Sequence, residues 1–305
     1  MSRVAKRKNK GRALNGLLLL DKPAGESSNR VLQKVKRIFN AAKAGHTGTL
    51  DPLATGLLVI CFGRTTKISD YLLAADKKYR VVLKLGVTTD TADADGEILE
   101  QRDTSKITED QILQQAASLT GGIKQIPPMY SALKHQGLRL YELARKGIEV
   151  ERVPRKVEIY SFEVIEYQGD LVTMQVHCSK GTYIRTLVED LGKLLSCGAH
   201  VVELRRTSLG PFTDPIMHSL EELDQLAKQG FSALEQILLP TDHALQDWPA
   251  ISIDENQMVD IRNGHAMCLP NLPAEGQVRI YDADQKFYGI GTMREDGRMA
   301  PKPLN

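Results

Sequence analysis

The chain has 305 residues, of which 26% are charged and 42% hydrophobic, and its formal net charge is +2. This composition is ordinary for a soluble globular protein of about two domains. No apolar run approaches the roughly 20 residues of a membrane-spanning helix, which excludes that class of membrane protein. Residues 1–14 are rich in lysine and arginine and lack a following cleavable apolar segment, so they predict a basic arm and not a secretory signal.

The cysteines and histidines suggest neither a disulfide framework nor a metal site. The four cysteines are widely separated and form no CxxC pair: Cys61, Cys178, Cys197 and Cys268. They are typical of reduced, mostly buried thiols in a cytosolic protein. The seven histidines are equally scattered, whereas a structural zinc site needs ligands paired at short spacing.

The first predicted elements lead to a glycine-rich loop. Residues 17–20 predict a buried strand, and a turn-rich connection then ends in an N-cap near Ser28. The next helix has an apolar face formed by Val31, Val35, Ile38, Phe39 and Ala42. The helix is followed by the glycine-rich loop, residues 45–56, with the sequence Gly-His-Thr-Gly-Thr-Leu-Asp-Pro-Leu-Ala-Thr-Gly.

The glycine-rich loop presents one carboxylate, that of Asp51. Its glycines allow close approach of another molecule, and Pro52 restricts the backbone of Asp51. The apolar run 57–62 that follows is typical of a strand buried on both faces. A loop anchored to such a strand is a favoured place for a catalytic group, although an Asp-Pro among glycines is also a common turn.

The middle of the chain predicts strands, a capped helix and an irregular insertion. Residues 77–85 predict a strand that begins Lys-Lys-Tyr79-Arg, and the acids of 86–96 lack the spacing of a calcium loop. A helix starts at the Thr108/Gln111 capping box and stops at the glycines 121–122. Residues 125–156 mix prolines, cations and aromatics, which suits either an RNA-contacting loop or an ordinary solvated insertion.

The last third of the chain predicts a hairpin, two more helices and a small separate domain. Strands at 157–167 and 171–178 are followed by a helix whose first turn contains Tyr183 and Arg185. A strand at 199–206 includes Leu204, and Ser219-x-x-Glu222 caps another helix. After a polar linker from 240 to 249, the tail predicts a helix at 254–262 and strands at 278–281 and 287–291, which suggest a small β-barrel.

Two motifs carry a family resemblance. GHTGTLDPLATGLL and GTYIRTL are similar, nearly residue for residue, to the signatures of the TruB family of tRNA pseudouridine synthases. Lys22-Pro23, the KKYR context of Tyr79 and PPMYSALK also match the family, specifically over about residues 15–210 and only loosely in the tail. The resemblance implies an α+β fold with a mixed, mainly antiparallel sheet flanked by helices and a small C-terminal PUA-like β-barrel. It implies a catalytic domain at 15–245 and an RNA-binding domain at 250–305.

The resemblance also assigns roles to site residues. It implies that Asp51 is the catalytic nucleophile and Arg185 its ion-pair partner. It places five more residues at the target nucleotide: His46, Tyr79, Tyr183, Leu204 and Lys22. Taken without the resemblance, Tyr79 and Leu204 are packing residues and Lys22 is a solvated turn lysine. A carboxylate nucleophile in a dry pocket needs a partner that keeps it ionised, and a bidentate guanidinium would do so.

The implied function is isomerisation of uridine 55 in the tRNA T loop to pseudouridine, with base flipping. Attack of the aspartate at C6, attack at C1′ and a glycal route all remain open. The reaction needs no cofactor, and the family resemblance implies a cytoplasmic monomer that binds tRNA without a membrane or a protein partner.

Three other functions compete with this one. A non-catalytic tRNA-binding or folding chaperone could have the same fold. A guide-RNA-dependent synthase shares the Asp51-type motif, but the 125–156 insertion favours a stand-alone enzyme. A phosphotransferase that forms an aspartyl intermediate is disfavoured, because Leu53 stands where it would need a second acid.

Overall fold

The computed structural model describes residues 11–269 and 272–304, so most of the predicted basic arm lies outside the described residues. The helices of the described part are α1 (Ser28–Ile38), α2 (Ser69–Ala74), α3 (Glu109–Ser118), α4 (Leu140–Ala144), α5 (Ile184–Leu194), α6 (Leu220–Gln229), α7 (Phe231–Gln236) and α8 (Glu255–Arg262). Two 3-10 helices span Gly63–Ile68 and Thr241–Leu245.

The strands of the described part fall into one large sheet, one small sheet and two short ribbons. The large sheet comprises β1 (Gly16–Lys22), β2 (Ala44–His46), β3 (Thr55–Phe62), β4 (Lys77–Leu85), β7 (Gly121–Gln125), β10 (Arg155–Gln168), β11 (Leu171–Cys178), β12 (Ala199–Leu209) and β13 (Phe212–Thr213). The ribbons are β5 (Val87–Thr89) with β6 (Ile98–Gln101), and β8 (Lys134–His135) with β9 (Leu138–Arg139). The small sheet comprises β14 (Ala250–Ser252), β15 (Gln277–Tyr281), β16 (Phe287–Met293) and β17 (Met299–Pro303).

The large sheet has the strand order β1-β3-β12-β4-β11-β10-β7. Of these neighbouring pairs, β12 and β3 run parallel and the others antiparallel. The predicted α+β fold with a mixed, mainly antiparallel sheet is therefore confirmed. The parallel pair matters for the site, because it places Arg205 and Arg206 of β12 beside Thr55 and Gly56 at the end of the glycine-rich loop.

The sheet is buried on both faces because its central strands are apolar at successive positions. In β1, Leu18 and Leu20 pack into one cluster, while Leu17 and Leu19 pack into another on the opposite face. The first cluster is covered by α1, α3, α5 and α6, each of which buries an apolar stripe against it. The predicted two-sided burial of residues 57–62 is confirmed, since all six side chains are 0% exposed.

The helix boundaries follow from capping chemistry. Ser27 caps α1 by accepting the backbone N–H of Arg30, and the helix ends at Ile38, before the Ala42 that was assigned to its apolar face. Both predicted capping boxes are present: Thr108 with Gln111 and Ser219 with Glu222. Tyr183 is the N-cap residue of α5, which puts Arg185 in its first turn as predicted.

The C-terminal strands form a sheet and not the predicted barrel. Their order is β14-β15-β16-β17, with no pairing of the two outer strands within the described residues, so the sheet stays open. The prediction missed β14 and β17, which are short and carry weak alternation. The polar-linker prediction was also wrong, because Ala244 and Leu245 are buried in the apolar cluster on the second face of the large sheet.

That same cluster joins the two sheets. Ile290 of β16 and Leu304 pack with Leu17 and Leu57 of the large sheet, while the small sheet keeps a separate core of its own around α8. Among the described residues, no helix is both long and apolar enough to cross a bilayer. The predicted burial of the cysteine thiols is confirmed for three of the four, and Cys268 is exposed.

Candidate active site

The glycine-rich loop is shorter than the sequence suggested. Gly45 and His46 belong to β2, and Thr55 and Gly56 begin β3, so the irregular part spans 47–54. Gly56 has φ +92°, and a Cβ there would lie 2.3 Å from the backbone oxygen of Arg206. Only glycine allows β12 to approach the loop this closely.

Two buried polar side chains fix the loop from behind. The ammonium of Lys22, at the end of β1, donates to the carbonyls of Pro23 (2.8 Å), Pro52 (3.1 Å) and Ala54 (2.6 Å). Ser28 exchanges hydrogen bonds with the backbone of Leu50, accepting its N–H at 2.8 Å and donating to its carbonyl at 2.9 Å. The loop backbone on both sides of Asp51 is therefore held in place.

Lys22 is not the solvated turn lysine that the sequence alone allowed. Its side chain is 0% exposed, and its three N–H donors are all taken by carbonyls. Burial lowers the pKa of Lys22 to about 8, although the nearby Asp51 and Glu26 carboxylates oppose that shift. Its predicted contact with the substrate stays a prediction, since Lys22 is not among the residues that line the cavity described below.

Asp51 and Arg185 are brought together as the resemblance implied. Arg185 Nε lies 2.9 Å from Asp51 Oδ2, and the arginine side chain is 5% exposed against 35% for the aspartate. Each of the other two guanidinium nitrogens also has a partner, because Nη1 donates to the Thr91 carbonyl at 2.8 Å and Nη2 to the Tyr130 carbonyl at 2.7 Å. The expected bidentate geometry is wrong, since one nitrogen serves Asp51 and the others hold two separate loops.

A second carboxylate stands behind the arginine. Asp93 Oδ2 lies 3.5 Å from Arg185 Nη1, and the Asp93 side chain is buried. Thr91 donates its hydroxyl to Asp93 Oδ1 at 2.5 Å, and the backbone N–H of Asp95 donates to the same oxygen at 3.2 Å. Arg185 is therefore shared between two carboxylates.

The local charges set the protonation of Asp51. Burial raises the pKa of the Asp51 carboxyl, and the Asp93 carboxylate adds to the rise, while the Arg185 cation opposes it. The carboxylate thus ionises only above the ordinary range for aspartate, and it does so beside a fixed cation. A carboxylate in this environment is more basic than that of an exposed aspartate.

Asp51 faces a cavity of about 310 Å³. Its walls include three of the predicted site residues in addition to the ion pair: Tyr79, Tyr183 and Leu204. Tyr79 on β4 is 8% exposed and Leu204 on β12 is 7% exposed. Burial raises the pKa of the Tyr79 and Tyr183 phenols, so both are neutral hydroxyls at physiological pH.

Tyr183 is positioned through its backbone. The buried side chain of Gln125 accepts the Tyr183 N–H at 3.0 Å and donates to the Tyr183 carbonyl at 3.2 Å. Gln125 begins the 125–156 insertion, and Arg185 holds Tyr130 of the same segment. The insertion is thereby joined to the helix that carries Arg185, and its Ala132 and Leu133 complete the cavity wall.

His46 lies in β2, outside the cavity wall. Its Nδ1 is buried and has no hydrogen-bond partner among the described residues. Burial, with a smaller effect of the Arg206 cation, lowers the pKa of His46, so the ring is neutral at physiological pH. Its predicted role in holding or displacing the target nucleotide stays a prediction.

Sequence reasoning missed several residues of the site, above all Asp93 and Arg206. Asp93 was one of three acids in a segment interpreted as a plain loop, and nothing in that segment marks it as the buried one. Arg206 did carry a signal, because adjacent residues of a strand point to opposite faces. Of Arg205 and Arg206, one had to face inward, and Arg206 is 1% exposed.

Known protein families match three successive parts of the chain. Residues 36–184 match the N-terminal domain of the TruB family pseudouridylate synthases, 185–246 the tRNA pseudouridylate synthase B C-terminal domain, and 249–304 the C-terminal domain of pseudouridine synthase II TruB. The fold is also that of a chain in the crystal structure of a Cbf5-Nop10-Gar1 complex, with a TM-score of 0.74 and 26% identity over 94% of this chain and 83% of that one.

Close sequence relatives agree with the family match. The tRNA pseudouridine synthase B of Nitrosococcus oceani is 50% identical over 98% of this chain and 97% of its own length. That of Stutzerimonas stutzeri is 50% identical over 99% of both chains. The family match and these relatives define a pseudouridine synthase. The chain belongs to the TruB family.

Proposed function

We propose that this protein converts uridine 55 in the T loop of tRNA to pseudouridine, with Asp51 as the nucleophile. The observation that carries the proposal is a single cavity-facing carboxylate 2.9 Å from a buried arginine, in a chain of the TruB family. Relatives named tRNA pseudouridine synthase B, about half identical over nearly their full length, support tRNA as the substrate.

The reaction is an isomerisation. The N1–C1′ bond of the uridine breaks, the uracil rotates, and a C5–C1′ bond forms, while C5 loses a proton and N1 gains one. Atoms and electrons balance without an oxidant or reductant. Attack of Asp51 at C6, attack at C1′ and assistance of a glycal route all require the ionised carboxylate, which Arg185 stabilises and orients.

The target base must leave its loop to reach Asp51. Extrusion costs a few kcal/mol, and stacking of a base on an aromatic ring returns about 1–3 kcal/mol. Tyr79 supplies such a ring inside the cavity, with Leu204 and Tyr183 on the walls around it. The cavity volume of about 310 Å³ suits one nucleoside.

The 125–156 insertion is the proposed RNA-contacting element. Its exposed face combines cations with apolar groups: Lys134, Leu138, Arg139, Arg145, Lys146, Ile148 and Val153. Tyr141 lies between two of the arginines, with the Arg139 and Arg145 guanidinium carbons 5.9 and 5.6 Å from its ring centroid. Such a surface binds phosphates and stacks unpaired bases without needing a protein partner.

The proposal also includes the domain organisation, the cellular location and the oligomeric state of the protein. Residues 15–245 form the catalytic domain and 250–305 an RNA-binding domain, and the protein acts in the cytoplasm as a monomer without cofactor or guide RNA. The competing chaperone function uses the same surface but does not need Asp51. The Asp51→Asn variant therefore separates the two.

The test uses a tRNA transcript carrying 5-tritiated uridine and measures tritium release with mapping of the modified position. Asp51→Asn should abolish release while its Kd for tRNA stays within about threefold of the parent. Asp224→Asn, which removes an exposed carboxylate on α6, is the matched control and should react normally. Rapid single-turnover release by Asp51→Asn would refute the nucleophile, and tight binding without release by the parent protein would favour the chaperone function.

A further inference from the structure

Two buried cations occupy one corner of the cavity, apart from the Asp51–Arg185 pair. Arg206 is 1% exposed and Lys77 is 8% exposed, and both line the cavity. In the part of the chain that the structure describes, neither forms an ion pair with a carboxylate. Both donate to backbone carbonyls, Arg206 to Leu57 (2.7 Å) and Gly48 (3.2 Å) and Lys77 to Leu73 (2.8 Å) and Ala75, and Arg206 also interacts with the Tyr79 hydroxyl.

Each cation keeps donors for a ligand. A guanidinium has five N–H donors and an ammonium three. Two donors of Arg206 are used by carbonyls and another interacts with the Tyr79 hydroxyl, while Lys77 uses two of its three. Burying two like charges without a counterion is costly, and burial together with the Arg206 cation lowers the pKa of Lys77 to about 8. An anionic ligand would remove that cost.

The corner lies at the mouth of the cavity. Leu73, whose carbonyl accepts from Lys77, is 43% exposed. A Cβ on Gly48 would lie 3.4 Å from Arg206 Nη1 and 3.9 Å from the Leu73 side chain. Because Gly48 has no Cβ, the space between Arg206 and Leu73 stays open. Gly48 has φ +121°, which disfavours any side chain there. A group that enters the cavity can thus approach the Arg206 guanidinium over bare backbone, and Lys77 lines the same cavity.

We infer that Lys77 and Arg206 form a binding site for a backbone phosphodiester of the RNA, one that flanks the flipped uridine. This inference rests on the proposed function. The ligand must be a permanent anion attached to a nucleotide whose sugar lies at Asp51, and the phosphodiester on either side of that sugar fits both conditions. Arg206 and Tyr79 are opposite each other on β12 and β4, so the phosphate would be fixed beside the ring on which the base stacks. The site would hold the flipped nucleotide by its backbone as well as by its base.

The test neutralises the charge on the RNA side and on the protein side. A T stem-loop RNA is made with one methylphosphonate at the 5′ or the 3′ phosphate of the target uridine, and a control RNA carries it in the distal stem. For the parent protein, one of the two flanking substitutions should raise Kd by about 10- to 100-fold, as expected for a lost charge-assisted hydrogen bond. The distal substitution should raise it less than threefold.

The protein-side variant is Lys77→Met, with Lys228→Met on the exposed face of α6 as its control. Lys77→Met should raise Kd for the unmodified RNA by about tenfold and should lose most of the penalty for the flanking methylphosphonate. It should also lower the slope of log Kd against log salt by about 0.7–0.9. Lys228→Met should keep the full methylphosphonate penalty.

The outcomes separate the inference from the proposed function. If the parent protein converts the unmodified RNA but tolerates both flanking methylphosphonates, the phosphate site is refuted and the cations act on the base instead. If the flanking penalty is the same in Lys77→Met as in the parent, the assignment to Lys77 is refuted. If the parent does not convert the RNA at all, the proposed function itself fails. Should Lys77→Met not fold, the methylphosphonate series with the parent protein still decides the question.

Discussion

Replacing Arg185 by lysine should damage both the reaction and the fold, although it keeps the positive charge. In addition to the contact of Nη1 with Asp93 at 3.5 Å, the three guanidinium nitrogens hold three separate groups: Asp51 at 2.9 Å, the Thr91 carbonyl at 2.8 Å and the Tyr130 carbonyl at 2.7 Å. A lysine ammonium is a single nitrogen and cannot reach these three separate partners. If it keeps Asp51, two hydrogen bonds from a charged donor are lost, each worth about 1.5–3 kcal/mol.

The expected loss of unfolding free energy is therefore about 2–4 kcal/mol after partial rearrangement. In this variant the Asp51 carboxylate is no longer held in position, and a displacement on the order of 1 Å should lower the single-turnover rate about 100-fold. Tritium release at saturating protein gives the rate, and urea denaturation gives the stability. Arg80→Lys, an exposed arginine on β4, serves as the matched control and should change neither. An Arg185→Lys variant that folds and reacts within threefold of the parent rate would refute the reasoning.

Four further predictions follow from the site and the cores. Because burial raises the pKa of Asp51, the single-turnover rate should fall on acidification at a pH above the ordinary aspartate pKa, which a pH–rate profile will show. The pKa of Lys77 is about 8 in the folded chain and 10.5 ordinarily, so the folded state binds fewer protons than the unfolded state between pH 8 and 10.5. The free energy of unfolding should therefore rise with pH over this range, as urea denaturation will show. The rise should be weaker in Lys77→Met, where only the similar pKa shift of Lys22 remains. Gly56→Ala should lower the free energy of unfolding, measured by urea denaturation, by about 2–4 kcal/mol, because the new Cβ would meet the backbone of β12. Gly25→Ala is the control: Gly25 also has a positive φ (+79°) but lies in open space, so the loss should be only about 1–2 kcal/mol. Truncation after residue 249 should weaken tRNA binding and also lower Tm in calorimetry, because it uncovers the cluster around Leu17 and Leu57.

The elements that the sequence predicted well are those whose signals are local. The apolar runs of β1 and β3, the capping boxes of α3 and α6, and the hairpin of β10 and β11 each depend on neighbouring residues. Asp51 and Arg185 came from two motifs with fixed glycines, and the structure places these residues in contact. Their roles remain proposals that the variants above test.

The failures concern features fixed by residues distant in sequence. Asp93 is buried because the backbone next to it, at Ala94, hydrogen-bonds to Val201 of β12. No local sequence pattern predicts this contact. The segment after Pro240 looked polar because polar and charged residues flank Ala244 and Leu245, whose burial depends on the second face of the large sheet. The barrel was expected from strand spacing and from a loose resemblance of the tail to the family, and neither determines whether the outer strands meet.

The apolar cluster that unites Ile290 and Leu304 with the large sheet has a geometric consequence for RNA selection. A domain on a flexible tether could follow RNAs of many shapes, whereas one that packs Ile290 and Leu304 into the apolar cluster of its neighbour is held at a constant distance from the cavity. An RNA that touches both surfaces must then match that distance. Inserting one base pair between the two contact regions would move the far one by about 3 Å and rotate it by roughly a tenth of a turn. The protein would thus bind an RNA stem of one length more tightly than a longer or shorter stem.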